Sequence, residues 1–114
     1  MRNRKDILKD LILFKANLSD LQNELSQYSW DIEEPILMIS IHDFSDVLKR
    51  CIENKINFDD LVRWANIIEC RDDLDFEVKE IQEIVFELAN PEINGEITKE
   101  RLKEIFNELQ KHYS

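Results

Sequence analysis

Residues 4–28 read RKDILKDLILFKANLSDLQNELSQY. Their apolar positions are Leu8, Leu11, Phe14, Leu18, Leu21, Leu25 and Tyr28. Gaps of three and four put these side chains on one face of a helix with 3.6 residues per turn. Ile7, Ile12 and Leu13 widen that face. The stretch therefore reads as one long amphipathic helix that touches more than one neighbour, and the remainder of the chain follows the same period.

Ser29 to Glu34 reads as a connection, and Pro35 disfavours helix in the residue before it. Ile36 to Ile41 reads as either a short extended piece or a buried helix start, with the extended piece favoured. Asp43 and Ser45 offer N-caps for a helix with Phe44, Val47, Leu48, Cys51 and Ile52 facing inward. Asn57 and Asp60 stand three apart, as a cap and a first-turn acid that the helix dipole favours. They open a helix from about Phe58 to Cys70 that buries Leu61, Trp64, Ala65 and Ile68. The next is expected near Phe76, with Asp75 as its cap and Glu77 in its first turn, and a stripe of Val78, Ile81, Ile84 or Val85, and Leu88 up to Asn90-Pro91. Gly95 breaks the chain, and Thr98 caps a last helix that presents Leu102, Ile105, Phe106 and Leu109. One glycine and two prolines in 114 residues supply too few turns for a strand-rich domain. The expectation is an all-α chain, residues 1–114 forming a single domain that is a compact bundle of about five helices.

The composition, 43% hydrophobic and 35% charged, is too apolar for a disordered acidic tail. The longest apolar run, Pro35 to Ile39, is too short to cross a bilayer, and no signal-peptide core follows the basic start. Cys51 and Cys70 lie inside helical patterns and read as buried or half-buried thiols. The expected location is cytoplasmic. Charge is the stronger signal: 25 Asp and Glu oppose 15 Lys and Arg, a net charge of −10. Residues 1–17 carry +3, which leaves −13 for the rest. The densest stretch, Glu69 to Glu87, holds Glu69, Asp72, Asp73, Asp75, Glu77, Glu80, Glu83 and Glu87 against Arg71 and Lys79, a local sum of −6. Such a field repels phosphate backbones and attracts basic surfaces. A nucleic-acid binder is excluded, and an electrostatic partner would be a basic protein.

Catalytic apparatus is sparse. His42 and His112 are the two histidines, and no nucleophile elbow, Cys–His signature or glycine-rich phosphate loop occurs. No enzyme, no catalytic residue and no cofactor are expected. Asn90 to Arg101 partly fits the twelve-residue calcium loop, with oxygen side chains at positions one, three and five and glycine at six. Arg101 stands where the bidentate glutamate belongs, so the stretch reads as an interhelical loop and no metal site is expected. The acidic cluster at Asp72, Asp73 and Asp75 lacks ligand geometry for a transition metal. Arg71, set among Glu69, Asp72 and Asp73, is expected to fix that loop by bidentate ion pairs. Trp64 shares a face with Leu61 and Ile68 and reads as a core anchor. Trp30, beside Tyr28 in a loop, could cover the core or face a partner.

Leu61 to Glu77 contains Trp64-Ala65-Asn66, then Glu69-Cys70-Arg71-Asp72-Asp73, then Phe76-Glu77, followed later by Glu87-Leu88-Ala89-Asn90-Pro91 and Ile97-Thr98. Over roughly residues 36 to 110 this pattern resembles small acidic bacterial proteins, the immunity partners of bacterial toxins in contact-dependent growth inhibition and colicin-type systems. The resemblance implies stoichiometric inhibition in the cytosol: tight binding to the cognate toxin's C-terminal catalytic domain, blocking its active site or substrate groove. Toxins that cleave RNA or DNA present a basic groove, which an acidic helical surface can occupy as a phosphate mimic. The partner-binding residues expected on charge are Asp72, Asp73, Asp75, Glu77 and Glu80, flanked by Glu83, Asp59 and Asp60. The alternative is an acidic adaptor or regulatory protein for a basic host protein; the first-helix stripe could serve a coiled-coil seam, and the sequence leaves monomer or homodimer open.

Overall fold

The computed structural model describes residues 3–28, 37–71 and 73–113. Among them are seven helices and two short strands: α1 (Arg4–Leu13), α2 (Leu18–Leu25), β1 (Leu37–Ile39), α3 (Ile41–Ile52), α4 (Phe58–Glu69), β2 (Leu74–Phe76), α5 (Lys79–Ala89), α6 (Pro91–Asn94) and α7 (Lys99–Tyr113). The chain is mostly helical, as its periodicity dictates. The helix count exceeds the expected five for two reasons. Residues 91–94 close into a single turn behind Pro91, and the expected first helix is two helices.

The break in that first helix has a local cause. Phe14 adopts the left-handed conformation, φ 52 and ψ 51, and ends α1. Asn17 then starts α2, its Oδ1 accepting from the amides of Ser19 at 2.8 Å and Asp20 at 3.2 Å. The apolar stripe nevertheless stays in phase across the break. Ile7, Leu8, Leu11, Ile12, Leu18, Leu21 and Leu25 are all buried in the chain's own core. The stripe that could serve a coiled-coil seam thus faces the chain's own core.

The carbonyl end of α1 organises its neighbours. The Leu11 carbonyl accepts from Trp64 Nε1 at 2.7 Å. The Leu13 and Phe14 carbonyls accept from the Arg50 guanidinium on α3, the latter at 3.2 Å. Trp64 is fully buried on α4 and stacks on Phe44 of α3, ring centroids 5.8 Å apart. It is the core anchor that its position on the α4 stripe implies.

β1 and β2 pair in parallel, Leu37 opposite Leu74 and Ile39 opposite Phe76. The expected extended piece is thus present at Leu37–Ile39. Ile36 lies outside the described residues, as does the Ser29–Glu34 connection with Trp30, and Ile41 already belongs to α3. Two caps differ from expectation. Ser40, not Asp43 or Ser45, caps α3, its Oγ accepting from the Asp43 amide at 3.1 Å, while Ser45 is buried within the helix. α5 begins at Lys79 rather than Phe76, because Leu74–Phe76 is held as a strand, and Val78 is its N-cap without a side-chain bond. Asn57 and Thr98 cap α4 and α7 as their spacing implies, accepting from Asp60 at 2.7 Å and Arg101 at 3.1 Å. Cys51 is buried, but Cys70 is exposed at the end of α4. No described helix is long and apolar enough to cross a membrane.

Trp64→Phe keeps the stacked ring and deletes the donor to Leu11. It is expected to destabilise the fold by about 1–3 kcal/mol, read as a lower urea midpoint at unchanged slope. Asn17→Ala, which removes one exposed cap, is expected to cost about 1 kcal/mol in the same assay.

Candidate partner-binding surface

The segment Glu69 to Glu87 runs from the end of α4 through β2 and along α5. Its carboxylates do not form one outward-facing patch. Asp72 lies outside the described residues. Asp73 is only 2% exposed. Its two oxygens accept from Arg71 Nε and Nη2, both at 2.7 Å, in the bidentate pairing anticipated for Arg71. A second cation comes from the other end of the chain: Arg4 Nε lies 3.5 Å from Asp73 Oδ2, with its guanidinium carbon 5.3 Å from the centre of the Tyr28 ring. The expectation that Asp73 meets a partner is therefore corrected. Its charge is enclosed, and removing it would leave two guanidinium groups poorly matched.

Glu77 is also committed. Its Oε2 accepts from the Ile41 amide at 2.7 Å, so it caps α3 from across the sheet rather than standing in the first turn of α5. Its own amide donates to the Ile39 carbonyl at 3.0 Å, extending the strand pairing. Asp75 is exposed on β2 and accepts from the Phe76 amide at 2.8 Å; it does not cap α5. Glu87 forms a two-point pair with Arg101 of α7, both contacts at 2.8 Å. That guanidinium hydrogen bond, outweighing partial burial, holds the Glu87 carboxyl below the ordinary glutamate range, and the same pairing raises Arg101. The cation at the twelfth position of the calcium-loop pattern is thus an interhelical clasp, and no group of three or more potential metal ligands occurs among the described residues.

Glu80 and Glu83 are exposed on α5, Asp59 is exposed in the first turn of α4, and Asp60 is half-buried. Asp60 lines a cleft of about 430 Å³ with Phe14, Lys15, Ala16, Asn17, Leu18 and Arg63. Arg63 is already engaged with Ser19 and Gln22 of α2. α4 and α5 pack side by side. They run in opposite directions, because Phe58, Asp59 and Val62 at the start of α4 share a cleft with Pro91, Glu96 and Ile97 beyond the end of α5. An eleven-residue α5 is about 16 Å long. Asp59 and Asp60 therefore sit about a helix length from Asp73, Asp75 and Glu77. The structure divides the expected site into two ends, with Glu83 between them.

Sequence reasoning passed over four exposed apolar side chains: Met38 at 53%, Phe58 at 37%, Phe86 at 48% and Ile93 at 70% exposure. Phe86 was findable, since it falls off the Ile81–Val85–Leu88 stripe and joins Glu83 on the polar face. Cys51 is not a nucleophile candidate: burial pushes its thiol up, only partly offset by the Lys99 charge. Comparison with protein-family models, curated proteins and solved structures gives no match.

Two measurements check the ion pairs. Asp73→Asn is expected to destabilise the fold by about 3 kcal/mol or more, whereas the triple change Arg4→Met, Arg71→Met and Asp73→Leu, which removes both cations with the carboxylate, recovers most of the loss in chemical denaturation. Glu87 has its folded pKa depressed, so its contribution is present above the unfolded pKa and is lost as pH falls through the folded value. Glu87→Gln is accordingly expected to lower stability at pH 7 and to flatten the pH dependence of the urea midpoint in the acid range, with little difference from the parent once the Glu87 carboxyl is protonated in both the folded and the unfolded state.

Proposed function

We propose that this chain is an immunity-type inhibitor, an acidic helical protein that binds a basic, nuclease-type toxin domain and covers its substrate cleft. The observation that carries the reading is the state of its outer carboxylates. The side chains of Asp59 and Glu83 are exposed and have no hydrogen bond or ion pair among the described residues, in a chain of net charge −10. Such charges steer a cationic partner from a distance and complement it on contact. The contact set proposed is Asp59, Asp75, Glu80 and Glu83, with Asp60 as a flank. Asp73 and Glu77 act behind it by holding β2 and the start of α3 in place. The competing adaptor reading loses its dimer seam, because the first-helix stripe lies in the chain's own core.

The test looks for a toxin-domain reading frame immediately upstream and co-expresses its product for capture with this chain; the lack of such a frame counts against the reading. The variant Asp59→Asn, Asp75→Asn, Glu83→Gln is expected to slow association roughly tenfold at low salt and to flatten its salt dependence, with an unchanged melting temperature. An association rate identical to the parent at every salt concentration removes the electrostatic reading.

A further inference from the structure

We propose that the open cleft between the first turn of α4 and the α6–α7 connection is an anchor pocket. It receives one apolar side chain carried on a cationic segment of the partner; the identity of that partner class rests on the function proposed above. The cleft holds about 370 Å³ and is lined by Phe58, Asp59, Val62, Pro91, Glu96 and Ile97. That volume is at the small end of ligand pockets, suited to one or two side chains. Its floor is apolar and its two lips are acidic. Phe58 stands 37% exposed at the first position of α4, beside Val62, Pro91 and Ile97 of the same lining. Apolar surface gathered in this way marks a contact site more strongly than scattered exposed residues do.

Charge selects the occupant. The side chains of Asp59 and Glu96 have no hydrogen bond or ion pair among the described residues, and among those residues no lysine or arginine lines the cleft. The basic residues that open α7 are directed elsewhere. Lys99 Nζ donates to Asn54 Oδ1 at 2.9 Å, and Arg101 is clasped by Glu87 and Glu104. Gly95, at φ 89 and ψ 159, takes a backbone conformation open essentially to glycine alone and turns the chain into the Glu96 lip. An anionic lipid surface would be repelled by these lips, and a polar metabolite would find few partners on the floor. A leucine, phenylalanine or tryptophan flanked by lysine or arginine satisfies both parts. This pocket lies at the opposite end of α5 from Asp75, so it adds a short-range, salt-insensitive contact to the long-range field.

The experiment titrates the full-length, ¹⁵N-labelled chain with a synthetic lysine-rich peptide bearing one central leucine, and with the same peptide carrying serine there. Amide shifts are expected at residues 58–62 and 95–97, with the serine peptide binding about tenfold more weakly or worse. Phe58→Ser is expected to abolish that difference. The isosteric pair Asp59→Asn with Glu96→Gln, which leaves the packing intact, is expected to weaken both peptides alike. Equal binding of the two peptides with shifts confined to Asp75, Glu80 and Glu83 would overturn the pocket while leaving the basic-partner reading standing. Failure of both peptides to bind removes the pocket and the basic-partner reading together. Shifts at the cleft on raising protein concentration without peptide would assign it to self-association and overturn the proposal.

Discussion

A helix that ends inside a protein leaves its last carbonyls without partners, and something must donate to them. At α1 the Phe14 and Lys15 amides donate to the Leu11 and Asp10 carbonyls, and side chains from two other helices supply the remaining donors. Trp64 of α4 donates to Leu11, and Arg50 of α3 donates to Leu13 and Phe14. Because Trp64 also stacks on Phe44 of α3, the three helices meet at one point. The left-handed turn at Phe14 belongs to the same arrangement. It lets α2 fold back while the apolar residues of both helices stay in one core.

The acidic character of the chain divides between two roles. Asp73, Glu77 and Glu87 are structural, each matched to a specific donor: the Arg71 and Arg4 guanidinium groups, the Ile41 amide and the Arg101 guanidinium. An enclosed pair such as Arg71–Asp73 fixes geometry more than it adds net stability, since desolvation offsets most of the attraction. Among the described residues the side chains of Asp59, Glu83 and Glu96 have no such donor, and they keep the field outward. The basic N-terminal stretch has a matching explanation, because one of its cations, Arg4, is drawn onto the densest acidic loop.

Local signals of helix register and capping were legible in the sequence. The stripes of α3, α4, α5 and α7 came from period alone, and Asn57 and Thr98 announced their helices through spacing. The break at Phe14 was hidden because the apolar phase survives it. Yet Asn17 and Asp20 repeat the Asn57 and Asp60 pattern, and that repetition was the available clue. The strand at Leu74–Phe76 was masked by flanking acids that mimic a helix start; only its distant partner, Leu37–Ile39, makes it extended. The site was less legible for the same reason. Composition counts carboxylates, but whether Asp73 faces solvent or Arg71 depends on contacts between elements distant in sequence.

The pairing of β1 with β2 has a consequence for how the molecule is made. Parallel neighbours cannot be joined by a tight turn, and here α3 and α4 fill the crossover. Closing it brings residues 37 and 74 together, a non-local step that slows folding relative to a simple helical hairpin. During synthesis, the α3 amino terminus has no Glu77 to receive its Ile41 amide until β2 has left the ribosome. The amino-terminal half therefore emerges as an unfinished layer, and consolidation waits for a segment made well after it.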